Sequence, residues 1–381
     1  MKLHYLGCLL VALGLMSCGQ QAKKETSVEI VPKGVWNDTD GNYINAHGGG
    51  ILQYEGKYYW FGEHRPAKGF STEVGVNCYS SDDLGTWKYE GVALAVSSTP
   101  GDEIEKGCIM ERPKVIYNAK TGKFVMWFHL ELKDQGYAAA RAGVAVSDTP
   151  QGPYKMVRSG RANSGVWPEN MTEEDRALTV TTDDFKEWWT PEWRKAVEQG
   201  LFVRRDFEGG QMSRDMTLFV DEDGKAYHIY SSEENLTLHI AELTDDYQNY
   251  TGRYIRIAPG GHNEAPAIFK HEGTYWMICS GCTGWAPNEA RLFSAPSIWG
   301  PWEQHPSPMR GVEAEKTFGG QSTYALPLGD GRYVFMADVW KPDSLMYSGY
   351  IWLPVTFGTD GMPTVEWQDR WTLTLSQAGK E

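Results

Sequence analysis

The chain has 381 residues, 41% of them hydrophobic and 13% aromatic, with 16 Trp and 20 Tyr; this is ample for a large core and excludes a disordered chain. Its 36 Lys and Arg stand against 50 Asp and Glu, a formal net charge of -14, which argues against nucleic-acid or anionic-membrane surfaces and favours neutral partners.

At the N-terminus, Met1-Lys2 leads into an apolar run from Leu9 to Leu15, then Leu15-Met16-Ser17-Cys18, and then a polar stretch. The run is shorter than the roughly 18 residues of a membrane span. It resembles a bacterial lipoprotein signal over 1–18, with Cys18 as the lipidated residue and 19–34 as a tether. The expected location is therefore the periplasm or the outer membrane, with the lipid as the membrane attachment; the alternative is an ordinary cleaved signal peptide with an incidental Cys. Of the cysteines beyond the signal, Cys78, Cys108, Cys279 and Cys282, none has zinc spacing. Cys279-Ser280-Gly281-Cys282 follows an aromatic strand rather than opening a helix, so all four read as structural or incidental.

Five stretches then share one plan: His47 to Gly62, Glu111 to Phe128, Arg214 to Tyr230, Asn263 to Ile278 and Gly320 to Ala337. Each has a polar or acidic start, an apolar strand, a turn and an aromatic strand, which is a hairpin pattern. Further strand-like segments follow every hairpin, enough to complete four strands each. Repetition of such a unit predicts an all-β chain folded as a five-bladed β-propeller over 35–375, in one domain. The period breaks between the second and third hairpins. There, 160–211 reads as a rim insertion with a short helix starting at Thr190-Pro191, whose Trp residues either border the active site or pack on the domain. Asp221-Glu222-Asp223-Gly224 reads as a hairpin turn rather than a calcium loop. His47-Gly48-Gly49-Gly50 has no accompanying nucleophile elbow, so esterase chemistry is set aside.

In a propeller the first strands of all blades meet on the axis, bringing His47, Glu111, Asp215, Glu264 and Gln321 together. Several carboxyl groups in a water-poor funnel cannot all ionise at ordinary cost, so their pKa values separate and one becomes a proton donor near neutrality. One such acid protonating a leaving oxygen, opposite a group that activates water, is glycosidase chemistry. Trp285 could supply a stacking platform for a sugar, or could simply pack within a blade.

The blade starts, with Arg214 to Tyr230 and Glu264 to Trp276, resemble family 43 of the glycoside hydrolases, inverting enzymes on five-bladed propellers; the resemblance covers 35–372. Asn45 to Glu63, Glu111 to Asn118 and Gly319-Gly320-Gln321-Ser322-Thr323 look most like its exo-β-1,3-galactanase branch. The resemblance implies that Asp215 modulates the acid, Glu264 is the general acid, and Gln321 serves as base through its imidic acid tautomer. Where the wider family has its base, this chain has His47-Gly48-Gly49. The other reading makes Glu111 the base, with Gln321 holding water or a hydroxyl. Glu63 and Asn235 match positions that contact sugar hydroxyls in that branch, and His47 joins them as an axial candidate.

The expected activity is release of galactose from β-1,3-galactan, the backbone of arabinogalactan. The alternatives are an α-L-arabinofuranosidase or β-xylosidase of the same family, or a non-catalytic glycan-binding propeller. The expected partner is a poly- or oligosaccharide and the expected state a monomer. No cofactor is required. A calcium ion occurs on the axis in relatives of that family, but no loop here specifies one, so no metal ligands are assigned.

Overall fold

The computed structural model describes residues 25–376, and in it the five hairpins are the inner halves of five antiparallel sheets. Their innermost strands are His47–Tyr54, Ile109–Asn118, Met216–Val220, Asn263–His271 and Gln321–Pro327. Each innermost strand packs against the next, and the fifth packs against the first, closing the ring of a five-bladed β-propeller. Four blades have four strands; the fifth gains Met309–Arg310, which lies parallel to Pro363–Glu366.

Apolar residues alternate along these strands, so each blade presents one apolar face to each neighbour. The core is accordingly divided into layers between blades. Between the fifth and first, Trp60 and Trp87 meet Tyr350 and Trp352. Phe61 and Val76 meet Met110 and Phe128 between the first and second, and comparable layers fill the other three gaps.

Residues 19–34 were expected to be a tether, but Glu25–Ile30 is a strand that pairs antiparallel with Trp371–Ser376. The cause is an alternation in which Val28 and Ile30 join Leu373 and Leu375 in the layer between the fifth and first blades. The two ends of the described chain therefore clasp the ring where it closes. The signal over 1–18, Cys18 and the rest of the tether up to residue 24 lie outside the described residues.

The insertion contains the expected helix, Pro191–Glu198, with the Thr190 hydroxyl accepting from the Trp193 amide at 3.2 Å. It also contains a second helix, Leu201–Arg205, and a single turn, Glu173–Arg176, that the sequence reading did not separate. Trp193 is buried with Ala196, Val197, Leu201 and Phe202 against Leu236 of the third blade. Trp188 and Trp189 remain half exposed.

Candidate active site

Three inner strands open with the same local device. In the first, second and fourth blades the pairing slips just after His47, Glu111 and Glu264 respectively. The next residue, Gly48, Arg112 or Ala265, takes a positive φ of 59°, 56° or 53°. Such a bulge turns one side chain out of the sheet and ends pairing, which is how strands present groups at a functional rim. In the second and fourth blades Pro113 and Pro266 follow; each supplies no amide hydrogen where the ladder is interrupted.

The starts of the second, third, fourth and fifth inner strands border a cavity of about 430 Å3 lined by Glu111, Asp215, Asn235, Glu264, Trp285 and Gln321 together with several arginines and aromatics. Six of the eight residues expected at the site therefore reach it.

Glu264 is held by three side chains. Its Oε1 accepts from Asn235 Nδ2 at 2.8 Å and from the Cys282 thiol at 2.9 Å, while Oε2 lies 3.4 Å from Gln321 Nε2. Burial, then the charge of Asp215, pushes its pKa up to about 7, against the opposing hydrogen bond from Cys282 and the charge of Arg112. A carboxyl group in this state carries a proton near neutrality and can give it up.

Glu111 has the opposite character. Oε1 accepts from Arg65 at 2.8 Å and from the Tyr137 hydroxyl at 3.0 Å, and Oε2 lies 3.1 Å from His129 Nδ1. Burial alone would raise its pKa, but Arg65 and His129 outweigh burial and hold it well below the usual carboxylate range. His129 has its other nitrogen 2.8 Å from Glu131. Burial would lower its pKa, yet its bonds to Glu111 and Glu131 push it up to about 9, so the ring is an imidazolium at neutral pH. Asp215 pairs with Arg112 at 3.0 Å.

Donor-only partners fix the orientation of Gln321. Its Oε1 accepts from Arg112 at 2.5 Å and from the Trp340 indole at 2.8 Å, and neither group can accept a hydrogen bond. The amide nitrogen therefore faces Glu264 and the Ser280 hydroxyl, 3.1 Å away. An imidic acid tautomer would place a hydroxyl hydrogen on the oxygen that these two donors already occupy.

His47 and Glu63 depart from expectation, because neither lines the cavity. His47 is fully buried, stacked on Tyr350 with Nε2 3.2 Å from the Met346 carbonyl, and burial lowers its pKa to about 3. Glu63 is 1% exposed and lies 3.0 Å behind Arg65; burial, partly offset by Arg65, pushes its pKa up to about 8. Both support the wall, and neither is open to a hydroxyl. Trp285, in contrast, is 40% exposed on the cavity wall, edge-on to Trp340 at 5.5 Å. The insertion's Trp residues do not line the cavity.

Glu111, His129 and Asp215 come close enough together to hold a cation in principle, with ligand atoms within 4.8 Å of one another. They do not fit one. Arg65 bonds Oε1 of Glu111, Arg112 pairs with Oδ2 of Asp215, and His129 lies between Glu111 and Glu131, so positive side chains already stand where the charge of a metal would be needed.

Sequence reasoning missed Arg65, Arg112, Tyr137, Trp340 and the role of Cys282. A signal existed for the arginines: Glu63 has Arg65 two residues on, Glu111 precedes Arg112, and Asp215 follows Arg214. Acids gathered on an axis need neutralising partners, and these come from across the axis: Arg65 pairs with Glu111 and Arg112 with Asp215.

Residues 163–322 match the family model for glycosyl hydrolases family 43. A solved family 43 β-1,3-galactosidase with galactodeoxynojirimycin is 68% identical, with 90% of this chain and 99% of that one covered and a TM-score of 0.89. An exo-β-1,3-galactanase from Phanerochaete chrysosporium, solved with β-1,3-galactotriose, is 34% identical over 91% of this chain and 68% of that one, with a TM-score of 0.73. Among curated proteins, a β-D-galactofuranosidase from Aspergillus niger is 27% identical over 128 residues, 33% of this chain and 37% of that protein, so the match spans little more than a third of that relative. With a propeller of this form, an axial cluster of acids and a relative of this identity along its whole length, the chain belongs to glycoside hydrolase family 43.

Proposed function

We propose that this protein is an exo-acting, inverting glycoside hydrolase that releases galactose from β-1,3-linked galactan. The observation that carries the reading is Glu264, a carboxyl group with its pKa near 7 at the wall of the same cavity that holds an ionised Glu111. The 68% identity to a β-1,3-galactosidase supports the substrate. The likeness to an exo-β-1,3-galactanase supports attack at a chain end.

In this mechanism Glu264 protonates the glycosidic oxygen. Asn235 and Cys282 both donate to Oε1, so the transferable proton resides on Oε2. Water attacks the anomeric carbon from the opposite face and passes its proton to Glu111, and the bond to the leaving sugar breaks with inversion. Glu111 is the acceptor in this reading because it is an ionised carboxylate with room for about four hydrogen bonds, two of them in use beside the His129 contact. The oxygen of Gln321 is already saturated by donors, so Gln321 serves as a donor that steadies Glu264 and a sugar hydroxyl. Asp215 keeps the acid's pKa high, and Trp285 offers an apolar face for a sugar ring.

The lipid on Cys18, with export to the periplasm or outer membrane, and a monomeric state belong to the same reading; the N-terminal sequence pattern supports the lipid and the export. Incubation with β-1,3-galactan, an aryl α-L-arabinofuranoside and an aryl β-xyloside tests the assignment. Galactose release from galactan supports it. Cleavage of the aryl glycosides alone indicates another specificity within the family, and tight binding to galactan without release indicates a glycan-binding propeller.

A further inference from the structure

Asn235 reaches the general acid from an unusual piece of backbone. Glu233, Glu234 and Asn235 have consecutive positive φ values of 53°, 58° and 62°, a left-handed run that non-glycine residues adopt only when their surroundings enforce it. Every neighbour of Asn235 in this turn is fastened to the insertion or to its support. The Glu233 carboxylate is fully buried and accepts from Arg256 at 2.7 and 2.8 Å and from His239 at 2.9 Å. The same Arg256 donates to the carbonyls of Val197 and Glu198, at the end of the helix Pro191–Glu198, at 2.8 Å each. Glu234 pairs with Arg205 of the second insertion helix at 2.8 Å and with Arg214 at 3.3 Å. Leu236 is buried in the insertion's own apolar cluster, and its carbonyl accepts from His262, two residues before Glu264. Only Asn235 points away from this anchorage, toward Glu264 at 2.8 Å.

We propose that the insertion over 160–211 is a brace for the catalytic acid: it holds the 233–236 turn in its left-handed form so that Asn235 donates to Oε1 of Glu264 and leaves Oε2 to carry the proton. Leu236, Glu233, Glu234, Arg205 and Arg256 act as positioning residues through Asn235. This rests on the reading of Glu264 as general acid. The groups facing Glu264 are Asp215 at the start of the third blade, Glu111 and Arg112 from the second, and Cys282 after the second strand of its own blade. Asn235, Ser280 and Gln321 complete its surroundings with uncharged polar groups. None of these charges belongs to the brace, so a neutral change in the brace leaves the field at Glu264 intact and alters only the donated hydrogen bond.

Two neutral variants of the full chain test this, Leu236→Ala in the turn and the milder Val197→Ala in the insertion; neither residue lines the cavity. Losing a donor makes the carboxylate harder to form, so the basic limb of kcat on β-1,3-galactan should move upward by about half a pH unit, with kcat down about fivefold and KM little changed. Infrared difference titration of the Glu264 carboxyl, assigned with Glu264→Gln, reads the same shift without a substrate. A lowered melting temperature in both variants with an unmoved limb and carboxyl titration overturns the brace. If the wild type releases no galactose but the infrared shift appears, the brace stands and the substrate assignment fails.

Discussion

Replacing Glu264 by Gln should spare the protein a loss of stability that the wild type suffers as the pH rises, while making it a poorer enzyme. Burial and the Asp215 charge raise the acid's pKa from the ordinary 4.5 to about 7 in the folded chain. Below pH 4.5 the group is protonated whether the chain is folded or not, and it contributes nothing to pH dependence. Between the two values the unfolded chain has lost the proton and the folded chain retains it, so wild-type stability falls as pH climbs, until both states are ionised above about 7. At roughly 1.4 kcal/mol per pH unit the full loss is about 3 kcal/mol. Gln cannot ionise. Any fixed effect of the amide on packing is the same at every pH and cancels when the difference between variant and wild type is compared at two pH values. Denaturant unfolding near pH 4 and near pH 8.5 should show that difference moving in the variant's favour by about 3 kcal/mol, with turnover down by a factor of about 100 to 10,000, and by less for substrates whose leaving group needs no proton. A stability difference that is equal at the two pH values would refute the account of Glu264 as a buried carboxyl with a raised pKa.

Asp215→Asn removes the second largest cause of that raised pKa, so the basic limb of the rate profile should move to lower pH as turnover falls, and an upward move would contradict the modulating role. Glu111→Gln should cost about 100-fold in kcat, whereas Gln321→Ala should cost less than about tenfold because it removes a hydrogen bond rather than a base; the reverse order would transfer water activation to the amide. Trp285→Ala should raise KM severalfold with kcat nearly unchanged, on the order of one lost aromatic contact, and an unchanged KM would remove the ring from the binding surface.

The propeller could be read from the chain because a blade is a local unit: period-2 apolar strands, Gly-containing turns and aromatic second strands recur within stretches of about 20 residues. Glu264 and Asp215 were legible for a related reason, since an acid placed just ahead of an apolar strand stands out. Depth along the axis was not legible. His47 and Glu63 pair with each other in the first blade, but whether they reach the cavity is decided by Arg65 and Tyr350, which lie over them in space. The chain likewise shows an amide at Gln321 but not which end of it faces Glu264; Arg112 and Trp340, from different strands, decide that. Cys282 looked incidental because nothing in its spacing indicates that its thiol meets a carboxylate from the preceding strand. Glu25–Ile30 reads as tether in the sequence because its partner, Trp371–Ser376, lies at the other end of the chain.

The most direct measurement is the anomeric form of the first sugar released from β-1,3-galactan, followed by proton NMR before mutarotation. Water delivered opposite the leaving oxygen, with Glu264 as acid and Glu111 as acceptor, yields α-galactose first. Initial appearance of the β form would mean that the bond is not broken by a single attack of water, and the assignment of both carboxyl groups would fall.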